Sequence, residues 1–439
     1  MTGHINLQLG WPSPSLFPAA QLLESASSVL TSPENLAPSL IYGPDAGYEP
    51  LRRSIAKWLT SVYGRGPSLS FDRICVTNGA SGNLNNVLAR FTEPGYTRNI
   101  WMVEPSYFLA CPISVDSGFQ GVMKCVPEDD EGLDIAFLRK GLQDSALTNS
   151  SHTPVQKTGD RYKKLYRHII YCVPTFSNPS AKTMSLRRRQ ELIKLARDFD
   201  ALVITDDVYD ILRWPVDPNA NCEQLDDVPP RLVDLDRTFE GGPKDEWGNA
   251  MSNGSFSKII APGVRVGCAE ATPAFSLALS QMLESGALEK HLQVTVLPTF
   301  RSRYSALLKA IDDHLVPLGL VISTGKPYSE SSEVLDGIQN GQKKSVSQAG
   351  GYFIWILLPE DLEVMVASLA VRALENFDLK FAYGDMMQVQ GDSASAERSA
   401  KGYGNGIRLS WAWHTADEIV EGIERLASLI VDVRNSKAH

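Results

Sequence analysis

The segment Ser255-Phe256-Ser257-Lys258-Ile259-Ile260-Ala261-Pro262-Gly263-Val264-Arg265-Val266-Gly267 places one lysine in an apolar stretch punctuated by Gly and Pro. Hydroxyls precede Lys258 and an arginine follows seven residues later. Most lysines on loops stay solvated. Desolvation and nearby cations lower a lysine's pKa and turn its amine into a nucleophile toward aldehydes. Asp206 and Tyr209, spaced D-x-x-Y, follow the apolar run Leu202-Val203-Ile204, with Asp207 a rival acid beside them. Gly79-Ala80-Ser81-Gly82 falls between a β-like run and a helical one. Free N–H groups at such a helix start bind phosphate, and small residues let it approach. Arg408, in Asn405-Gly406-Ile407-Arg408-Leu409-Ser410, offers a guanidinium fork that suits two carboxylate oxygens.

Strand–helix alternation must carry these residues. Ile74-Cys75-Val76, Trp101-Met102-Val103, Ile169 to Val173 and Leu202 to Ile204 read as strands. A helix is predicted from Leu186 to Phe199, with Leu192, Leu195, Ala196 and Phe199 on one face and Ser185 as its N-cap. Such units imply a parallel sheet covered by helices, and ligands bind past the carboxyl ends of its strands. Asn78–Ser81, Pro105–Tyr107, Asn178 and Asp206–Tyr209 all fall there. Segments 143–164, 215–249 and 325–350 read as irregular surface excursions.

The chain has 439 residues, 43% apolar and 21% charged, enough for one large core and a smaller one. Lys and Arg total 42 against 51 Asp and Glu, a net charge of −9. An acidic chain without a basic tract is a poor partner for nucleic acid or an anionic membrane. No apolar run approaches the ~20 residues of a membrane span, and no signal peptide is visible. The six cysteines form no C-x-x-C pair, and no metal site is expected. Several lie in apolar runs, as reduced thiols of a cytoplasmic protein do. No G-x-G-x-x-G follows the first strand, which disfavours a dinucleotide-binding fold.

The lysine motif resembles that of the fold-type-I pyridoxal-phosphate enzymes, aminotransferase class I/II. The other motifs appear in the family's order, from about Ile5 to Val431. Leu9-Gly10-Trp11-Pro12-Ser13-Pro14-Ser15-Leu16-Phe17-Pro18 and Tyr42-Gly43-Pro44-Asp45-Ala46-Gly47 look closest to the aminoadipate/kynurenine aminotransferase-like branch. The resemblance implies an α/β fold, a large domain over 43–300 with a mostly parallel seven-stranded sheet between helices. A smaller α+β domain would combine 1–42 with 301–439. It implies pyridoxal 5'-phosphate as cofactor and amino transfer between an L-amino acid and a 2-oxo acid, with 2-oxoglutarate the foremost acceptor, in a homodimer. Lys258 would hold the cofactor as an aldimine and then carry a proton from Cα in ping-pong chemistry. Asp206 would pair with the pyridine nitrogen, and Tyr209 and Asn178 would bond the ring's O3′. Tyr107 would stack on the ring. Ala80, Ser81, Ser255, Ser257 and Arg265 would hold the phosphate, joined by Tyr42 from the partner subunit. Arg408, with Asn178 and Gly10, would receive the substrate, Arg408 taking its α-carboxylate. Two departures stand out: the family commonly has Thr-Gly after the Asn-Pro where this chain has Ser180-Ala181, and often Ser-Gln where it has Ala80-Ser81. The same cofactor residues serve lyases, γ-replacement enzymes and oxidases of this fold, and non-catalytic regulators, so these stay open as alternatives.

Overall fold

Continuous apolar runs want burial on both faces, and the chain answers with parallel strands under helices. The computed structural model describes residues 3–64, 68–147, 157–159, 162–217, 219–220, 225, 228–267, 287–323, 325, 348–362 and 364–437. Six strands form the main sheet: β1 (Asn99–Glu104), β2 (Met123–Asp129), β3 (Gly132–Leu133), β4 (His168–Cys172), β5 (Ala201–Asp206) and β6 (Ala250–Asn253). Their order is β3-β2-β1-β4-β5-β6. All neighbours run parallel except the short β3, which turns back on β2. Strands β4 and β5 are buried at every residue.

Helices α1 (Ala19–Leu30), α2 (Pro33–Leu40), α3 (Glu49–Tyr63) and α4 (Ala80–Phe91) precede the sheet. Helices α5 (Ile135–Leu147), α6 (Leu186–Asp198) and α7 (Leu232–Thr238) lie between strands. Ser185 caps α6 as predicted, its side chain accepting from Arg188 N.

Six strands of this sheet lie among the described residues, which do not include 268–286. Two expectations are corrected. Ile74-Cys75-Val76 is not a strand. Beyond it only Thr77 pairs, through one bridge to Gly267, and Gly79 at once turns the chain into α4, leaving no length for a ladder. The segment 215–249 is not wholly irregular, because Leu232 and Leu235 anchor α7 in the core beside Leu192 and Ala196 of α6. Half of 143–164 and most of 325–350 lie outside the described residues. Of their edges, Gln143 to Leu147 completes α5, and Gln348–Gly350 pairs with Arg213–Pro215.

A second, antiparallel sheet has the order β9-β10-β8-β7: Ala382–Tyr383 (β9), Gly406–Ser410 (β10), Phe353–Leu357 (β8) and Val321–Ile322 (β7). It carries Arg408 at the centre of β10. The N-terminal strand Ile5–Asn6 pairs with Leu379–Lys380, and the chain runs on beside β10, where Ser410 Oγ donates to Leu9 O at 2.7 Å. Helix α8 (Leu297–His314) and two C-terminal helices, α9 (Ser393–Lys401) and α10 (Ala416–Lys437), complete the frame. No helix among the described residues is long and apolar enough to cross a membrane.

Candidate active site

Parallel strands end on one edge, so the residues following β1, β4, β5 and β6 meet there. They line one cleft with the start of α4. Ser255 caps the single turn Phe256–Lys258, accepting from Ser257 N at 3.1 Å. The buried Phe256 and Ile259 anchor that turn and aim Lys258 inward. Its Nζ donates to Gly10 O at 2.6 Å. Loss of water around the ammonium pushes its pKa down to about 8; Asp206 opposes this and Arg408 adds to it.

Asp206 is the last residue of β5 and faces the cleft, 8% exposed. Tyr171 Oη donates to its Oδ2 at 2.9 Å, and Asn253 Nδ2 lies 3.5 Å from Oδ1. Burial drives the carboxyl up to about 6, against the pull of Tyr171 and Lys258. Side chains alternate along a strand. Asp207 therefore points the other way, into a separate hollow with Asp210, Tyr63 and Arg231. Geometry thus decides between the two acids.

Arg408 is 4% exposed, lies over the Phe353 ring at 4.1 Å, and donates to Asn178 Oδ1 at 2.7 Å and Gln8 O at 2.8 Å. Burial lowers it to about 10. The Tyr209 hydroxyl bonds the Asn178 side chain, and burial holds its pKa well above the usual range. Tyr107 bonds Ser81 and is pushed up to about 12 by burial first and Asp206 second. The turn after Asn178 closes with Ala181 in the left-handed region, φ 60°, where a glycine would be unstrained.

At the other end of the cleft, Gly79 has φ 102° and precedes Ala80, the first residue of α4; no side chain caps that terminus. A Cβ on Gly79 would stand 2.7 Å from Arg265 Nη2. The glycine thus leaves free amides beside a guanidinium, and Ser81, Ser255 and Ser257 line the same wall. Tyr42 is fully exposed and takes no part in this cleft.

All the other residues named from the sequence converge: ten line the cleft directly, while Arg408 and Gly10 reach it through Asn178 and Lys258. Tyr171, Asn253 and Trp11 were missed. Tyr171 had one signal, a hydroxyl inside an otherwise apolar strand. Asn253 ends β6 and ties it to α4, accepting from Asn83 at 2.9 Å and donating to Ala80 O at 3.1 Å. No local pattern distinguishes it.

A family profile described as aminotransferase class I and II matches residues 32–303. An uncharacterised protein of Saccharomyces cerevisiae is 31% identical, over 96% of this chain and 95% of its own. Aromatic-amino-acid aminotransferase 1 of Thermococcus litoralis is 28% identical, over 97% and 88%. LysN, the α-aminoadipate aminotransferase of Thermus thermophilus, solved with N-(5'-phosphopyridoxyl)-L-leucine, superposes with TM-score 0.70 at 23% identity, covering 99% of this chain and 94% of that one.

The cleft fits pyridoxal phosphate. A buried carboxylate needs a cation, yet among the described residues no lysine or arginine is hydrogen-bonded to Asp206, and a protonated ring nitrogen would serve. The Gly79 cradle is a space that a Cβ would close, and its donors suit a phosphate. By motif, profile and fold alike, the chain belongs to the aminotransferase class I and II family and is a pyridoxal-phosphate-dependent transaminase.

Proposed function

We propose that Lys258 anchors the cofactor covalently and moves the proton in a ping-pong exchange between an L-amino acid and a 2-oxo acid, 2-oxoglutarate being the acceptor. Bound pyridoxal phosphate supplies an electron-withdrawing ring that takes up charge left at Cα when its proton departs. Asp206 keeps the ring nitrogen protonated, and Tyr171 and Asn253 hold that carboxylate in place. Tyr209 and Asn178 bond the ring oxygen; Tyr107 covers the ring face. Ala80, Ser81, Ser255, Ser257 and Arg265 grip the phosphate. Arg408 exchanges Asn178 Oδ1 and Gln8 O for the substrate carboxylate, beside Gly10. The Lys258 amine, freed when substrate binds, would take the proton from the substrate Cα and give it back as acid. An amine of depressed pKa and a buried carboxylate without a bonded cation face one cleft, with a buried guanidinium bonded to Asn178 in its wall, and that juxtaposition carries the proposal.

We further assign 43–300 to the cofactor domain and 1–42 with 301–439 to the smaller one. The protein works in the cytoplasm as a homodimer in which Tyr42 reaches the partner's phosphate. The free, buried Cys111, Cys125 and Cys172 suit that compartment, and the exposed Leu23, Leu30, Leu40 and Ile41 on and beside α1 and α2 suit a second copy.

The test is visible absorbance of the purified holoenzyme during addition of single amino acids, followed by 2-oxoglutarate. The lysine-bound cofactor band should give way to that of the aminated cofactor, and the oxo acid should restore it. Lys258→Ala should not complete the cycle. Release of ammonia or peroxide in place of that reversal would overturn amino transfer.

A further inference from the structure

The carboxyl end of β1 carries a second polar cluster outside the cleft. Glu104, its last residue, is 2% exposed. Its Oε1 accepts from Arg398 Nε. Its Oε2 accepts from Ser395 Oγ at 2.7 Å and Tyr403 Oη at 3.3 Å. All three donors belong to α9 or the turn after it. Arg398 also donates to Cys125 Sγ on β2. Asp392, the N-cap of α9, accepts from Cys125 N at 3.0 Å and from its thiol at 2.7 Å. Ser106 N donates to Met387 O at 2.9 Å, extending the junction by a further contact.

Neither Glu104 nor Arg398 lines the cleft. Each precedes a residue that the function needs. Glu104 leads through Pro105 and Ser106 to Tyr107, and Arg398 leads through the Tyr403–Asn405 turn to Arg408 on β10. Glu104 is buried while the Arg398 side chain is 29% exposed; a pair with one buried charge adds little stability that an apolar contact would not, but it demands one geometry.

We propose that Glu104 and Arg398 are positioning residues. They lock the loop bearing Tyr107 to the segment leading into Arg408, so the tyrosine at the cofactor ring and the arginine at the substrate carboxylate keep one relative placement. This rests on the roles given to Tyr107 and Arg408 above. A displacement of about 1 Å at either residue costs far more rate than the same shift on a surface.

The experiment compares wild-type holoenzyme with Arg398→Met, Arg398→Lys and Glu104→Gln. Three readouts are taken: visible circular dichroism of the bound cofactor, kcat and KM for one amino donor, and alkylation of Cys125 by iodoacetamide. Cys111, equally buried but outside the cluster, is the internal reference. In Arg398→Met, kcat/KM should fall about tenfold or more, the visible dichroism should weaken, and Cys125 should react faster relative to Cys111. Arg398→Lys should recover most of each. Should the methionine variant not fold, the near-isosteric Glu104→Gln carries the same expectation. Lower thermal stability with unchanged dichroism and kcat/KM within twofold would mean a structural role only and sink the proposal. So would a lysine variant no better than methionine. A wild-type protein without a cofactor band would instead overturn the functional reading itself.

Discussion

Asp206 is held in a state that folding alone would not choose. Its carboxyl is raised from 3.8 to about 6 because burial strips water from the anion. The folded apo chain thus binds that proton more tightly than the unfolded chain. The group costs nothing below about pH 4, and the cost grows as pH rises through about 6, reaching roughly 2–3 kcal/mol above it. A pyridinium would relieve that cost. Asp206→Asn should therefore raise the apo protein's unfolding midpoint at pH 8 and leave it nearly unchanged at pH 4, as calorimetry would read. Transamination by the same variant should fall about 100-fold or more, since the charge facing the ring is lost. An apo midpoint that drops at pH 8 would contradict this account. The trade of stability for activity is usual where a site needs an unpaired charge.

Elements set the phosphate end. Helix α4 starts without a side-chain cap, and the turn into it requires Gly79 at φ 102°, against Arg265. Gly79→Ala meets two penalties: left-handed backbone strain of about 1–3 kcal/mol and a Cβ 2.7 Å from Arg265 Nη2. The arginine must move out of the cradle. We expect cofactor affinity to fall at least tenfold in an equilibrium titration of the apo protein, while pyridoxal without its phosphate binds both forms alike. Equal loss for both ligands would place the defect elsewhere. Gly10 carries the steric penalty alone: a Cβ there would stand 2.7 Å from Phe353 Cζ. Phe353 is the ring beneath Arg408.

At the scale of the whole molecule, large side chains on and just after α1 and α2 stand exposed. Leu23 is 70% exposed, Leu40 64%, Ile41 62% and Tyr42 fully so. Exposed apolar side chains in this number accord with the proposed dimer interface. Sedimentation at micromolar concentration should give a dimer, and Leu40→Asp should shift it toward monomer with loss of bound cofactor. Tyr42→Phe should keep the dimer and weaken cofactor binding. A wild-type monomer that retains full activity would refute both the interface and the role of Tyr42.

Much of this was legible without coordinates. Lys258, Asn178 and Arg408 each follow or occupy a strand flanked by recognisable punctuation, so local pattern together with the family resemblance reached most of the cleft. The helix Leu186–Asp198 and its Ser185 cap were equally plain, because period and cap are local properties. Local pattern misled at Ile74–Val76, where apolar residues suggested a strand but the turn at Gly79 into α4 leaves only the Thr77 bridge among the described residues. It was silent on Asp206 against Asp207, which only the family spacing favoured until side-chain direction separated them. Asn253 on Ala80, Gly10 O on Lys258 and Arg398 on Glu104 join residues far apart in sequence. The sequence by itself determined which chemistry the chain carries, because the motifs that carry the family resemblance are short stretches whose residue types and order are local. Only the tertiary structure decided which groups are desolvated, paired or left waiting for a ligand, because burial and long-range contact arise from packing.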